Sequence, residues 1–253
     1  MLSHLEFGGS LLDSLDLDPV YVGVGVADLP REVKVRWVFS YAFIYHSGVA
    51  SKLAESADYY GSMLEALSGP RGVERRHFRG AAAVNAIHSL KSLGTPEELM
   101  DWVCEIPKFT EMARRVKLLP QCGAWIAFKI VDMADRILRV PVDWTGCSLA
   151  IYRDPKQGAA LIFEGDKNAP LTPAEVTGYY AQLVEQFKHR LAPPWYDRPA
   201  GIPEVETIAC KYKSYRRGGY HVGEDLATMI RQLEMYPGEV SQHILRVVRG
   251  GLF

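Results

Sequence analysis

Leu119-Pro120-Gln121-Cys122-Gly123-Ala124-Trp125-Ile126-Ala127-Phe128-Lys129 opens a stretch that closes on Val140-Pro141-Val142-Asp143, and its reading decides the fold. Pro120 fixes φ at the entry, and Gly123 permits a positive φ or the close approach of another backbone. Apolar residues at helical spacing then run from Ala124 to about Arg139, where Pro141 stops them. A turn that opens a helix leaves backbone N–H groups pointing outward, a ready grip for a phosphate. Asp143 arrives twenty residues after Gly123, between Val142 and Trp144. Apolar flanks predict a poorly solvated carboxyl with a raised pKa, suited to act as a base or to face a developing cation. The plainer reading is a turn or helix-capping aspartate.

Working outward, helical periodicity covers Arg31 to Leu67 as two helices broken near Ser47-Gly48. Another helix spans about 73–92. Thr95-Pro96-Glu97-Glu98 and Thr172-Pro173-Ala174-Glu175 are capping boxes with proline at the first helical position, starting helices to Cys104 and to about Leu191. A helix over about 108–118 leads into the Gly123 turn, and helices near 203–213 and 223–235 close the chain. Ser148–Arg153 and Ala159–Glu164 are β-prone runs joined by Asp154-Pro155-Lys156-Gln157-Gly158, which predicts a minor β-hairpin. The first 30 residues, with the alternation Val20-Tyr21-Val22-Gly23-Val24-Gly25-Val26, read as an N-terminal arm, extended or a short strand. Residues 31–253 then form one mostly α domain.

Composition narrows the function. No apolar run approaches the roughly 18–20 residues that span a bilayer, and the N-terminus lacks the basic start and apolar block of a signal peptide. Cys104, Cys122, Cys147 and Cys210 form no CxxC pair, which argues against zinc and disulfide frameworks and for a reduced, cytoplasmic protein. Gly23-x-Gly25 lacks the third glycine of a dinucleotide site. The net charge is −1, but it is unevenly spread. Residues 1–30 hold five acids and no Lys or Arg; residues 107–156 hold nine Lys/Arg against five acids. A basic face of that kind is what phosphate contacts need.

A second concentration runs from Glu206 to Asp225. Lys211, Lys213, Arg216 and Arg217 alternate with tyrosines and end in Gly218-Gly219-Tyr220, as expected where phosphates and bases meet protein. On the helix after the turn, Lys129, Asp132 and Arg136 share a face. Spacing alone reads them as a salt-bridged solvent face, with Ile126, Ile130, Met133 and Ile137 on the core side.

The Leu119–Gly123 turn with Asp143 at its distance resembles the helix-hairpin-helix signature of the DNA glycosylase superfamily, which places a catalytic aspartate there. Gln121 stands where that signature has its other glycine, and Trp125 stands where strand-cleaving members carry lysine, which argues against lyase chemistry. The four-cysteine iron–sulfur loop of some members is absent. The combination of Trp125-Ile-Ala-Phe-Lys129-Ile-Val-Asp132-Met-Ala-Asp-Arg136, Pro141-Val142-Asp143 and Cys210-Lys211-Tyr212-Lys213-Ser214…Gly219-Tyr220…Gly223-Glu224-Asp225 more closely resembles the bacteriophage alpha-glutamyl/putrescinyl-thymine pyrophosphorylases, also called amino acid:DNA transferases.

That resemblance implies a helix-hairpin-helix glycosylase-like fold and a transferase that replaces the pyrophosphate of 5-pyrophosphoryloxymethyluracil in double-stranded DNA with an amine. The amine would be an amino acid or a polyamine, and the base would be flipped out. It implies catalytic roles for Asp143, Lys129 and Asp132. Lys211, Lys213, Arg216, Tyr220 and Asp225 would bind substrate or pyrophosphate, and Gln121, Gly123, Trp125 and Arg217 would contact DNA. No metal ligands and no cofactor are assigned, and pyrophosphate chemistry is compatible with Mg²⁺. A phage-encoded protein of this kind would work in the host cytoplasm without a membrane. The chain has no GxxxxGK[ST], so it does not make the pyrophosphorylated base itself. The alternatives are a glycosylase that excises a damaged or modified base and a non-enzymatic helix-hairpin-helix DNA-binding module.

Overall fold

A computed structural model describes residues 1–72 and 78–250. Among them the chain is mostly α, with fourteen helices and only two isolated β-bridges. In chain order these are α1 (His4–Asp13), α2 (Pro19–Val26), α3 (Arg31–Ile44), α4 (Ser47–Ala54) and α5 (Tyr59–Ala66). Next come α6 (Gly80–Leu93), α7 (Pro96–Cys104), α8 (Phe109–Val116), α9 (Ala124–Arg136) and α10 (Arg153–Glu164). Last are α11 (Pro173–Phe187), α12 (Ile202–Tyr215), α13 (Glu224–Glu234) and α14 (Glu239–Arg249). No helix among the described residues is long and apolar enough to cross a membrane.

The chain divides into two compact units. One comprises Met1–Val22 and Gly146–Ala227, the other Gly23–Thr145 and Thr228–Phe253. In the second unit α3 is the central element. Val35 and every residue from Trp37 to Ile44 are buried, as for a helix packed on all sides, against α4, α7 and α9. Its polar groups are satisfied inside: Trp37 Nε1 donates to Ser51 Oγ at 3.2 Å, and Ser40 Oγ donates to the Tyr59 hydroxyl at 3.1 Å. Each buried aromatic of this kind contributes roughly 1.5–3 kcal/mol. The region expected as two helices is three. Tyr45, in the left-handed region at φ 54°, ends α3, and Asp58 caps α5.

In the first unit α12 takes the central place, packed by α1, α10 and α11. The expected β-hairpin does not form there. Residues Leu149–Ile151 make one 3-10 turn, and Asp154 through Gly158 lie in α10. Pro155 falls in the first turn, where a missing N–H costs nothing. Gly158 serves packing rather than a turn, since a Cβ there would lie 2.7 Å from the Ala209 carbonyl oxygen of α12.

The expected extended arm is also helical. Ser3 and Glu6 form a capping box on α1, and Phe7 and Leu11 are wholly buried. The Val/Gly alternation is α2, apolar all round, which mimics a strand pattern in a short window. Both threonine capping boxes form as expected, at α7 and α11. Of the helix expected at 73–92, α6 supplies 80–93, and residues 73–77 lie outside the described residues. The closing helix α14 was not expected.

Candidate functional site

In the second unit, α8 and α9 are joined by the Leu119–Gly123 turn. The positive φ falls on Gln121, at 61°, and not on Gly123, whose φ is −75°. Gly123 is the N-cap of α9 and supplies no capping side chain, and a Cβ placed on it would meet nothing within 4 Å. Glycine at 123 therefore answers neither backbone strain nor internal packing. Gly123 itself is exposed at the start of α9. Gln121 pays the left-handed cost, about 1 kcal/mol for a residue with a Cβ. Gln121→Gly is accordingly expected to raise stability by about that amount, measured by thermal denaturation; a lower midpoint would contradict it.

Trp125, half-buried, stacks on Phe128 with ring centroids 5.5 Å apart and planes 10° from parallel. The Lys129 ammonium lies 4.9 Å from the Trp125 ring centroid and 5.3 Å from that of Phe128, a cation–π arrangement. Its Nζ is 3.8 Å from Asp132 Oδ2, while Arg136 Nε donates to Asp132 Oδ1 at 2.9 Å. These three residues are not a solvent face. Lys129 is 8% exposed, Asp132 0% and Arg136 1%. Packing of α9 against both α8 and α3 covers the side that spacing assigned to water.

After α9 the chain turns at Arg139, φ 58°, and returns to the start of α8. The Asp143 N–H donates to the Pro107 carbonyl and the Phe109 N–H to the Asp143 carbonyl, both at 2.8 Å, forming a parallel bridge. The neighbouring Trp144 ring stacks on Phe109 at 5.2 Å, and its Nε1 donates to Asp135 Oδ2 at 3.0 Å. The apolar neighbours thus pack on each other and leave the Asp143 carboxylate exposed. Hydrogen bonding from Thr145, including its N–H to Oδ1 at 2.9 Å, holds the carboxyl below the usual aspartate value. The expected upward shift is therefore corrected: side chains adjacent in sequence do not bury this carboxyl, and donors favour its charged form.

In the first unit, Lys211, Tyr220 and Asp225 come together. Lys211 Nζ lies 2.6 Å from Asp225 Oδ2 and 3.3 Å from the Tyr220 hydroxyl, and it also donates to the Asp16 carbonyl. These contacts engage all three ammonium protons. Lys213 points elsewhere, to Asp154 and Gln157 of α10. Arg216 donates to the Tyr212 hydroxyl at 3.0 Å, and both Arg216 and Arg217 are exposed at the end of α12. Burial raises the Asp225 pKa, with Asp16 and Asp18 adding to the rise and Lys211 opposing it. Burial and the hydrogen bond to Asp16 push the Tyr220 phenol well up.

Asp16 was missed from the sequence. Wholly buried, its carboxylate accepts from the Gly223 and Leu226 N–H groups, both at 2.7 Å, and also from the Tyr220 hydroxyl, so it caps α13 from a distance. The available signal was charge complementarity, since residues 1–30 carry acids without bases and 207–223 bases without acids. Asp16→Asn places an NH2 group among those donors and is expected to cost about 3 kcal/mol. Urea unfolding checks this, and an unchanged midpoint would remove Asp16 from the framework.

Residues 15–220 match a family model described as amino acid:DNA transferase. The chain is 33% identical over 272 residues to a glycinyltransferase of Pseudomonas phage PaMx11, covering 95% of this chain and 93% of that protein. It is 27% identical over 237 residues to a putrescinyltransferase of Delftia phage PhiW-14, covering 88% of this chain and 75% of that protein.

Proposed function

The chain belongs to the amino acid:DNA transferase family, and from that premise we propose that it replaces the pyrophosphate of 5-pyrophosphoryloxymethyluracil in DNA with an amine. The higher identity to the glycinyltransferase than to the putrescinyltransferase favours an amino acid as donor. The C–O bond from the exocyclic methylene to pyrophosphate breaks, with its electron pair leaving on pyrophosphate. A C–N bond forms to the amine, and the nitrogen loses a proton. The methylene must leave the base stack for this, so the nucleotide is flipped. The start of α9 at the exposed Gly123 serves a DNA phosphate, and exposed Arg217 serves the backbone elsewhere.

The observation that carries the chemical reading is the pinned, exposed and ionised Asp143 carboxylate. An alkylammonium near pKa 10 cannot hand its proton to such a weak base outright, because the gap even to an ordinary carboxylate is about six units, roughly 8 kcal/mol, and Thr145 makes this one a weaker base still. Asp143 therefore orients the ammonium end of the donor. It takes the proton only as the C–N bond forms, when that nitrogen becomes strongly acidic. Lys129 lies beside the Trp125 ring, and the buried Asp132 holds it in position.

The test is incubation with DNA carrying 5-pyrophosphoryloxymethyluracil and a panel of amines, followed by digestion and mass spectrometry of the nucleosides. An amine-adducted thymidine is the expected product. Free base with an abasic sugar would instead identify a glycosylase, and no change with any amine would sink the transferase reading.

A further inference from the structure

The bridge between Lys108 and Asp143 places two side chains as well as two backbones. Residues that face each other across a parallel pair project to the same side, and the next residues along project to the other. The packing obeys this alternation. Phe109 and Trp144, which follow Lys108 and Asp143, stack on each other, and both rings meet Phe128 edge-on, at 6.0 and 5.8 Å. Lys108 and Asp143 are thereby left together on the outer side, both exposed. After the Thr145 hydrogen bonds, the charge of Lys108 also helps to hold the Asp143 carboxyl below the usual aspartate value. The two do not close into an ion pair. Among the described residues the Lys108 ammonium makes no ion pair or hydrogen bond. The nearest acids along the chain, Glu105 and Glu111, are both taken by Arg115. Lys129 cannot stand in for it, being 8% exposed and held by Asp132 and the Trp125 ring.

We infer that Lys108 is a catalytic residue that binds the pyrophosphate group as it leaves, while Asp143 beside it holds the incoming amine. The inference deepens the proposed function and rests on it for the identity of the leaving group. Paired backbones lie about 4.8 Å apart, and the four-carbon stem of lysine carries its charge farther out. The two side chains can therefore bracket one methylene carbon. With both substrates in place the charges alternate as carboxylate, donor ammonium, pyrophosphate and lysine ammonium. As the C–O bond breaks, its electron pair goes to the pyrophosphate oxygen, which gains one negative charge beside Lys108. The C–N bond forms toward Asp143, which takes the proton that the nitrogen loses. Lys108 gives up no proton in this step. It meets charge that develops only as the bond breaks, so it lowers the barrier and does not merely tighten binding. An order of filling follows, because the Asp143 carboxylate repels pyrophosphate until an ammonium neutralises it.

Lys108→Met and Lys108→Arg are compared with wild type in the transfer assay, with glycine as donor and inorganic pyrophosphate as inhibitor. Lys108→Met should lower kcat by at least about tenfold and raise the inhibition constant of pyrophosphate by a similar factor. Lys108→Arg should restore most of both, because it restores the charge. The glycine KM and the affinity for unmodified DNA should stay within about twofold of wild type in each variant. If wild type transfers glycine and Lys108→Met changes neither kcat nor pyrophosphate inhibition, the assignment fails and the transferase reading stands. A change confined to the glycine KM or to unmodified DNA also overturns it, since Lys108 would then hold the donor carboxylate or a backbone phosphate. If wild type transfers no amine, the transferase reading fails, and amide NMR of the protein on unmodified duplex with glycine and pyrophosphate decides the site alone. Shifts at Phe109 and Asp143 that vanish in Lys108→Met keep the anion site; shifts unaltered by the change, or none in wild type, remove it.

Discussion

Asp143→Asn is expected to lower kcat for amine transfer by about a thousandfold, within the range for loss of a positioned acid–base group, and to leave DNA affinity within about twofold. Asparagine preserves shape and the backbone bridge to Pro107 and Phe109 but cannot carry the negative charge that orients an ammonium. Single-turnover rates by mass spectrometry and filter binding separate the two effects. Near-wild-type turnover removes Asp143 from the mechanism, and loss of DNA affinity in parallel makes it a structural residue. The pH dependence follows with its sign. Thr145 lowers the folded-state pKa of this carboxyl, so the charged form persists as pH falls through the ordinary carboxylate range. Any acid limb observed between about pH 5 and 8 must then come from the amine itself or from another group.

Asp132→Asn is expected to destabilise the protein by about 3–5 kcal/mol, because it removes the carboxylate from beside two buried cations, Arg136 at 2.9 Å and Lys129 at 3.8 Å. Lys129→Met and Arg136→Met should each cost a similar amount. Combining Asp132→Asn with Arg136→Met should cost clearly less than the sum of the two single changes, because the pair is lost together. Denaturant titration of the four-member cycle reads the coupling directly. Strict additivity would mean that Asp132 and Arg136 do not depend on each other.

The α character, both threonine capping boxes and the turn into α9 were legible because each is a local signal. A capping residue acts three positions away, and a turn acts over four or five. The errors came where two conformations share one local pattern. Asp154-Pro155-x-x-Gly158 satisfies a turn as well as the first turn of a helix, and only the nearness of the Ala209 backbone explains the glycine. Val20 to Val26 alternates like a strand, yet it is a helix apolar on every side. The face bearing Lys129, Asp132 and Arg136 is indistinguishable from a surface until α3 and α8 are known to cover it.

The turn into α9 was readable by spacing, but its positive φ falls on Gln121 rather than Gly123, and the direction of the Asp143 pKa was not readable, because the Thr145 donor depends on the fold of the return loop. Of the five residues grouped as substrate-binding, Lys213 and Arg216 point elsewhere, while Lys211, Tyr220 and Asp225 meet in space. Their hub, Asp16, lies some two hundred residues away in sequence and could be suspected only from unmatched charge.

The bridge between Lys108 and Asp143 closes α8, the turn and α9 into a ring of backbone. Its two hydrogen bonds both run through Asp143, so an opening that lifts this residue away from α8 breaks both. The amides of Phe109 and Asp143 should therefore exchange with deuterium at matched rates, as one opening event. Such an event would free the aspartate from its register while leaving the interior amides of α9 protected. The carboxylate would thus have its own small opening equilibrium, separate from that of the helix that leads to it.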